Sequence, residues 1–453
     1  MSGASHMSVR ARFAPSPTGL LHVGNIKIAL VNYLFAKKNG GKFILRIDDT
    51  DLERSTKEFE NELFRDLEWL GIKADELYKQ SGNCDRYNSA MDRLKKMGRV
   101  YACYETKEEL SLKRKIQASS GSSPVYDRAA LHLTSEEKEK LEREGMKPHW
   151  RFKLDDENCS EWNDLLHGKI SIPLNTVSDP ILVKPDGSFV YTFASVVDDI
   201  NMKITHIIRG DDHITNTAVQ MDIFRALSEE TPYFAHIPLL SSANGEELSK
   251  RVGSSLSISS MRDSGMDPNA ILNVLATLGT ANNVSHRDKM DDLVKRFSFE
   301  KMSLSAPKFN LDDVKALTKK IISEKTFVEV KDELQKLNLE NISEEFWDTI
   351  KGNLSSIKES IFWYDILFNK INVIKEDENF VKQMLQTLPN PVDFDEWMGN
   401  LKEISARKGR DLFHPIRIVL TGLEDGPELR KIVNFLGYER LKERIKRSLE
   451  PTS

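Results

Sequence analysis

Two short stretches carry residue types that can do chemistry on a phosphate. In the first, "RFAPSPTGLLHVGN" from Arg12 to Asn25, His22 stands between Gly19 and Gly24 at the head of a helical pattern. A histidine there can donate a hydrogen bond to a phosphate oxygen, and glycine lets a nucleotide come close to the backbone. In the second, "LLSSANGEELSKR" from Leu239 to Arg251, Asn244 and Gly245 signal a turn into a loop that carries Lys250 and Arg251. A cationic loop of this kind can fold over a triphosphate and neutralise the charge that builds as pyrophosphate leaves. Taken alone, "HVGN" fits a Pro/Gly-rich connector with an incidental histidine more readily than a phosphate site, because four-residue motifs recur by chance.

The elements that must position these residues follow from periodicity. Val9 to Ala14 predicts a short strand, and Ile26, Leu30, Val31, Leu34 and Phe35 predict an amphipathic helix that Lys37, Lys38, Asn39, Gly40 and Gly41 stop. "KFILRI" then resumes as a strand before the acidic turn "DDTD". In a strand–loop–helix–strand unit the loop lies at the carboxyl end of the first strand, facing the positive end of the helix, where phosphate binds.

Composition bounds the rest. A chain of 453 residues, 39% hydrophobic and 30% charged, is long enough for two to four globular domains. No apolar run approaches the ~20 residues of a membrane helix, and the N-terminal stretch lacks the apolar core of a secretory signal. "MSGASH" before Met7 looks like an expression scar. Cys84, Cys103 and Cys159 are too few and too scattered for a disulfide framework, which predicts a cytoplasmic protein with no membrane partner. A net charge of −5 argues against a protein coated with nucleic acid but allows docking on local basic faces.

"HVGN" resembles the HIGH motif and "ELSKR" the KMSKS motif of class I aminoacyl-tRNA synthetases. The fuller strings "APSPTGLLHVGN", "RIDDTD", "YTFASVVDD", "IIRGDDH" and "ELSKR", in that order, are similar to glutamyl-tRNA synthetases, as is "FHPIRIVLTGLEDGPEL" near the C-terminus. The likeness covers nearly the whole chain. "EKMSLS" at Glu300 to Ser305 matches the letters KMS better, but Leu304 stands where the second lysine is required, and its aromatic surroundings read as packing.

The resemblance implies an α/β fold: a class I Rossmann-type catalytic domain in two halves (residues 7–88 and 183–240), an inserted α+β acceptor-binding domain (89–182), a KMSKS-like loop and stem-contact region (241–310), and an all-α anticodon-binding region (311–453). The inserted segment carries the polar stretch "QASSGSSPVYDR" and the charged helix "TSEEKEKLEREG"; beyond Asn310 no strand signal appears. On the last helix Leu441, Ile445 and Leu449 share one side, with Lys442, Lys446 and Arg447 elsewhere. The implied reaction is attack by the glutamate carboxylate on the α-phosphorus of ATP, then transfer of the glutamyl group to a ribose hydroxyl of tRNA(Glu). Whether tRNA(Gln) is also charged stays open, and a monomer is expected. The protein need supply no nucleophile, so catalysis rests on positioning and charge.

By resemblance, His22 and Lys250 are the catalytic phosphate-binding groups, and Gly24, Asp212, His213, Ser249 and Arg251 join them around ATP. Arginine's fork matches a carboxylate bidentately, which makes Arg12 and Arg209 candidates for reading glutamate. The family pattern adds Ala14, Ser16, Tyr191 and Ser195 to that pocket, and sets Asp48 against the α-ammonium. Asp48 departs from the family's usual glutamate, and its shorter arm calls for a bridging water. Asp212 also fits a plain helix N-cap, and His213 a first-turn residue. Mg²⁺ is expected with ATP, held by phosphates and water, so no metal ligand is named. Some relatives build a zinc site on a Cys-x-Cys pair; here "YACYET" offers Cys103 and then Glu105, with Cys159, His149 and His167 nearby in sequence, and no structural zinc is expected.

Overall fold

The computed structural model describes residues 8–51, 53–121, 124–242, 256–369, 374 and 376–450. They form two compact units, one taking in residues up to Ser260 together with Leu272–Asn310, the other Met261–Ile271 together with Leu311 onward.

The first unit begins with β1 (Arg10–Phe13), α1 (Val23–Lys38), β2 (Lys42–Ile47), α2 (Lys57–Trp69), β3 (Glu76–Lys79) and α3 (Cys84–Lys96). There follow β4 (Val100–Cys103), α4 (Lys107–Ser119), α5 (Ser135–Arg143), β5 (His149–Phe152), β6 (Cys159–Asp164), β7 (Gly168–Pro173) and β8 (Ile181–Val183). The chain then returns through α6 (Tyr191–Asn201), β9 (His206–Gly210), α7 (Ile214–Leu227), β10 (Tyr233–Ile237) and β11 (Ser241–Ser242). α8 (Ile258–Asp263), α9 (Pro268–Thr277), α10 (Met290–Arg296) and β12 (Lys308–Phe309) complete the elements up to Asn310.

Seven strands make one sheet in the order β3-β2-β1-β9-β10-β6-β7, parallel throughout except for β7. β2 and β3 lie to one side of β1 and β9 and β10 to the other, so the strand order reverses between β1 and β9. An open α/β sheet binds its ligand in the crevice outside the carboxyl ends of the strands at such a point. Near-continuous apolar runs suit strands covered on both faces: Phe43, Ile44 and Ile47 of β2 and Ile208 of β9 are fully buried.

The inserted segment is interleaved with this sheet. Ser89, where the sequence reading begins the insertion, lies inside α3, because Tyr87, Ala90, Met91 and Leu94 share one core with residues of α6 and α7 and the helix has no reason to stop there. The β6–β7 hairpin extends the main sheet through Phe234 and Asp164, whereas β4, β5 and β8 form a separate three-stranded sheet. Just ahead of "EKMSLS", Phe297 and Phe299 pack on Phe35 of α1 with ring centroids 6.5 and 5.4 Å away.

The second unit is helical. Its described residues beyond Asn310 form α11 (Leu311–Glu324), α12 (Phe327–Lys336), α13 (Glu344–Ile350), α14 (Ser360–Phe368), α15 (Glu378–Thr387), α16 (Phe394–Ser405), α17 (Arg410–Thr421) and α18 (Leu429–Leu449), with no strand among them. Leu441 and Ile445 of α18 are fully buried and Leu449 packs against the same core, as their spacing predicts. Trp397 sits fully buried in that core and donates its indole N–H to the Met384 carbonyl at 3.2 Å. Trp397→Ala is therefore expected to destabilise this unit by about 3–5 kcal/mol, seen as an earlier urea transition in circular dichroism; a change under ~1 kcal/mol would contradict the packing described.

Candidate active site

A cleft of about 310 Å³ opens at the carboxyl ends of β1 and β9. Arg12, Ala14 and Ser16 line it from the end of β1, His22, Gly24 and Asn25 from the start of α1, Tyr191 from α6, and Arg209, Asp212 and His213 from the end of β9; Ile28 and Leu239 add apolar wall. Residues separated by nearly 200 positions thus meet, because parallel pairing sets β1 beside β9 at Ala11 and His206.

His22 is the N-cap of α1. Its Nδ1 accepts from the Gly24 N–H at 3.1 Å, while the Asn25 side-chain oxygen accepts from the His22 N–H at 3.1 Å, a reciprocal capping box. Burial holds its pKa below the ordinary value, so the ring is neutral near pH 7. With Nδ1 accepting, the single ring proton falls on Nε2, and that N–H and the helix dipole both favour an anion. Gly24 is needed for this arrangement as well as for ligand approach: a Cβ there would come within 2.9 Å of His22 Cε1.

Arg209 is buried at the end of β9. Its Nη2 donates to Thr217 Oγ1 at 2.6 Å and Gln220 Oε1 at 2.7 Å, while Nε and Nη1 have no hydrogen-bond partner. Burial pushes its pKa down, and Tyr191 beside it acts in the opposite sense. With Nε and Nη1 buried and the Tyr191 hydroxyl near the guanidinium, this arginine can receive an anion at the cleft wall, because unpaired buried donors are otherwise costly.

Arg12 has a different setting. Its Nε and Nη2 donate to the two oxygens of Asp199 at 3.1 and 3.2 Å, and Arg46 donates to the same carboxylate at 2.8 Å. Arg46 also grips Asp48 bidentately, at 2.6 and 3.0 Å, and Ser195 Oγ at 3.1 Å. Asp48 and Ser195 therefore sit behind the cleft, not on its wall. The reason is strand geometry: residues two apart at the end of β2 face the same side, which sets Asp48 against Arg46. Burial raises the Asp48 pKa, opposed by Arg46. Next to it Asp198, which accepts from Tyr87 and Gln80 at 2.8 Å each, is pushed up to about 6 by burial.

Asp212 does not cap α7: the N-cap residue is His213, with no side-chain cap bond, and Asp211–His213 form a short 3-10 turn. Asp212 stays about half exposed at the cleft, and His213 Nδ1 lies 3.2 Å from Asn216. Gly210 leaves room there: a Cβ would meet Asp212 Oδ1 at 2.4 Å and Leu239 Cδ2 at 2.7 Å, so one or both side chains would have to shift. Ser249, Lys250 and Arg251 lie outside the described residues.

Away from the cleft, Cys103, Glu105 and His149 bring one ligand atom each to within 4.8 Å of one another. Cys103 and His149 are cross-strand partners of β4 and β5, a proximity that sequence separation concealed. Tyr126 donates to Glu105 at 2.8 Å, while Glu105 Oε2 and His149 Nε2 are buried without partners. Burial pushes the Cys103 thiol up to about 12 and His149 down to about 4. Of the five donors named from sequence, Cys103, Glu105 and His149 are the three brought together, and they could hold a cation.

Arg46, Asp199, Thr217, Gln220, His236 and Asp164 were not singled out from sequence. Arg46 and Asp199 lie within quoted motifs, "RIDDTD" and "YTFASVVDD", whereas His236 and Asp164 carry no local signal.

Residues 8–316 match the family described as tRNA synthetases class I (E and Q), catalytic domain, and residues 373–449 match an anticodon binding domain. The chain is 45% identical over 440 residues to glutamate–tRNA ligase 2 of Hyphomonas neptunium, covering 96% of this chain and 98% of that one. It is 44% identical to glutamate–tRNA ligase 1 of Bartonella quintana, covering 96% and 99%. Among solved structures it is similar to a glutamate tRNA ligase from Elizabethkingia meningosepticum in complex with its amino acid, with a TM-score of 0.85, 28% identity and 98% and 99% of the two chains covered. With a switch-point cleft, a histidine-capped helix and a match running through both units, the chain belongs to the class I tRNA synthetases of the E and Q group.

Proposed function

We propose that this protein joins L-glutamate to tRNA(Glu) at the expense of ATP, through a glutamyl-adenylate, with release of AMP and pyrophosphate. The observation that carries the reading is Arg209: buried, hydrogen-bonded to neutral partners, and with Nε and Nη1 unshared at the cleft wall. That is the receptor a substrate side-chain carboxylate requires. The names of the relatives, all glutamate–tRNA ligases, agree with it.

In this reading Arg12, Ala14, Ser16, Tyr191 and Arg209 form the glutamate wall, and Asp48 and Ser195 act on it from behind through Arg46. Gly24, Asp212, His213, Ser249 and Arg251 surround ATP, with His22 and Lys250 meeting the charge that develops on the phosphates. The nucleophile is the substrate's own carboxylate, so the protein's work is alignment, water exclusion and charge stabilisation. Mg²⁺ enters with the triphosphate as part of the substrate, and Asp212 is the one carboxylate among the described residues that line the cleft. The inserted segment takes the acceptor end of the tRNA and the helical unit its anticodon. Three free cysteines suit a cytoplasmic, reducing setting, and the protein is expected to act as a monomer.

Three outcomes follow. Labelled glutamate supplied with MgATP should become acid-precipitable on tRNA(Glu); label on tRNA(Gln) as well would widen the acceptor range, and no label on either would overturn the reading. Arg209→Lys, which loses the fork but keeps the charge, should lower kcat/KM for glutamate by roughly 30- to 1,000-fold in steady-state charging. His22→Ala should lower kcat by about 100- to 1,000-fold with a nearly unchanged KM for glutamate, per mole of protein shown to be folded, because losing the cap also costs α1 about 1 kcal/mol.

A further inference from the structure

Behind Arg209 runs a buried polar chain whose members Asp164, His236 and Thr217 lie outside the lining of the cleft and meet it through Arg209 and the His213 carbonyl. Asp164, at the end of β6, accepts through Oδ1 from the backbone N–H groups of Leu166 and His167 at 3.0 and 3.1 Å. Its Oδ2 lies 2.6 Å from Nδ1 of His236 on β10. His236 Nε2 is 2.7 Å from Thr217 Oγ1 on α7, and Thr217 Oγ1 accepts from Arg209 Nη2 at 2.6 Å. His236 and Thr217 are fully buried, and so is the carboxylate of Asp164.

The order of protons along this chain is fixed by chemistry. An ionised carboxylate only accepts, so His236 Nδ1 carries a proton and donates it to Asp164. Burial and the nearby Arg209 cation hold His236 neutral, which leaves Nε2 as an acceptor. The Thr217 hydroxyl has two acceptors in reach, His236 Nε2 at 2.7 Å and the His213 carbonyl at 3.2 Å; its proton goes to the nearer Nε2, and its lone pairs are presented to Arg209 Nη2. Gln220 presents Oε1 to the same nitrogen at 2.7 Å, its own amide fixed by the Thr192 carbonyl at 3.2 Å.

We infer that Asp164, His236 and Thr217 form a positioning relay for Arg209: they engage Nη2 from behind, set the plane of the guanidinium, and so present Nε and Nη1 to the side-chain carboxylate of the substrate. The relay supplies neutral acceptors next to Arg209 and keeps the balancing carboxylate three hydrogen bonds away. An acidic residue bonded directly to Arg209 would neutralise the charge the substrate needs; an unrestrained arginine would lose the angle that makes a bidentate contact selective. The inference rests on the reading of Arg209 given above. Thr217 and His236 are positioning residues, acting on glutamate through Arg209.

The test is steady-state charging of tRNA(Glu), with KM for glutamate and KM for ATP measured separately. Thr217→Val, close in shape but without the hydroxyl, is expected to raise KM for glutamate 10- to 100-fold and leave KM for ATP within about 2-fold. Thr217→Ser, which restores the hydroxyl, should return it to within about 3-fold of the parent, and His236→Phe should move the same constant upward. In an Arg209→Lys background the Thr217→Val effect should shrink to under 3-fold, because the group it orients has gone. A glutamate KM unchanged by Thr217→Val, or equal rises for glutamate and ATP, would overturn the relay while leaving the role of Arg209 standing. If Arg209→Lys itself left the glutamate KM unchanged, the reading of Arg209 would fail, and the relay with it. Because KM does not depend on the fraction of enzyme folded, partial misfolding of a variant does not mimic the expected split.

Discussion

One carboxylate, that of Asp199, accepts from two buried arginines, Arg12 at the end of β1 and Arg46 at the end of β2. Because Asp199 lies on α6, this contact ties together three elements at the head of the sheet. Charges taken out of water each cost several kcal/mol, and a buried cluster is tolerable only when charge and hydrogen bonds balance. Here they do: Arg12 and Arg46 face Asp48 and Asp199, two cations against two anions. Asp198, the carboxyl left over, is pushed up to about 6 and satisfied by Tyr87 and Gln80. Removing one member would strand a buried charge, so the cluster holds β1, β2 and α6 in one relation, and the cleft inherits its shape.

Against that balanced cluster, Arg209 is deliberately unbalanced. Arg12 spends Nε and Nη2 on Asp199, whereas Arg209 bonds to a hydroxyl and an amide. Two arginines on facing strand ends thus have different electrostatic tasks. The first anchors the scaffold and borders the cleft; the second keeps its charge for a ligand. Burial without a counter-ion is unfavourable in the free protein, and a bound carboxylate removes that penalty, so part of the ligand's affinity is stored in the fold before binding.

Helix α1 supplies the other half of the site by a separate device. Its first turn is closed by a side chain that would ordinarily be serine or aspartate, but a histidine does the capping with Nδ1 and keeps Nε2 for the cleft. The capping bond therefore also fixes the tautomer. Gly24 allows this by having no Cβ to strike the imidazole.

That His22, Gly24, Arg12 and Arg209 belong together was legible through the order of the family's motifs, since each alone fits a connector or a strand end, and all four line the cleft. The helical second unit was legible too, since Leu441, Ile445 and Leu449 repeat with helical spacing and are packed against one core. What sequence determined, then, was local: which residues cap, turn, alternate or repeat, and the order of motifs that marks the family. The tertiary structure alone decided the partnerships that cross the sheet. It set Asp48 on Arg46 behind the cleft, placed Cys103 opposite His149 across β4 and β5, joined the β6–β7 hairpin to the main sheet, and strung Asp164, His236 and Thr217 behind Arg209. The physical reason is one of range. Caps and periodicities act over a few residues and leave a trace in the sequence, whereas a buried ion pair or relay is chosen by strand order, which brings together side chains that have no common spacing along the chain.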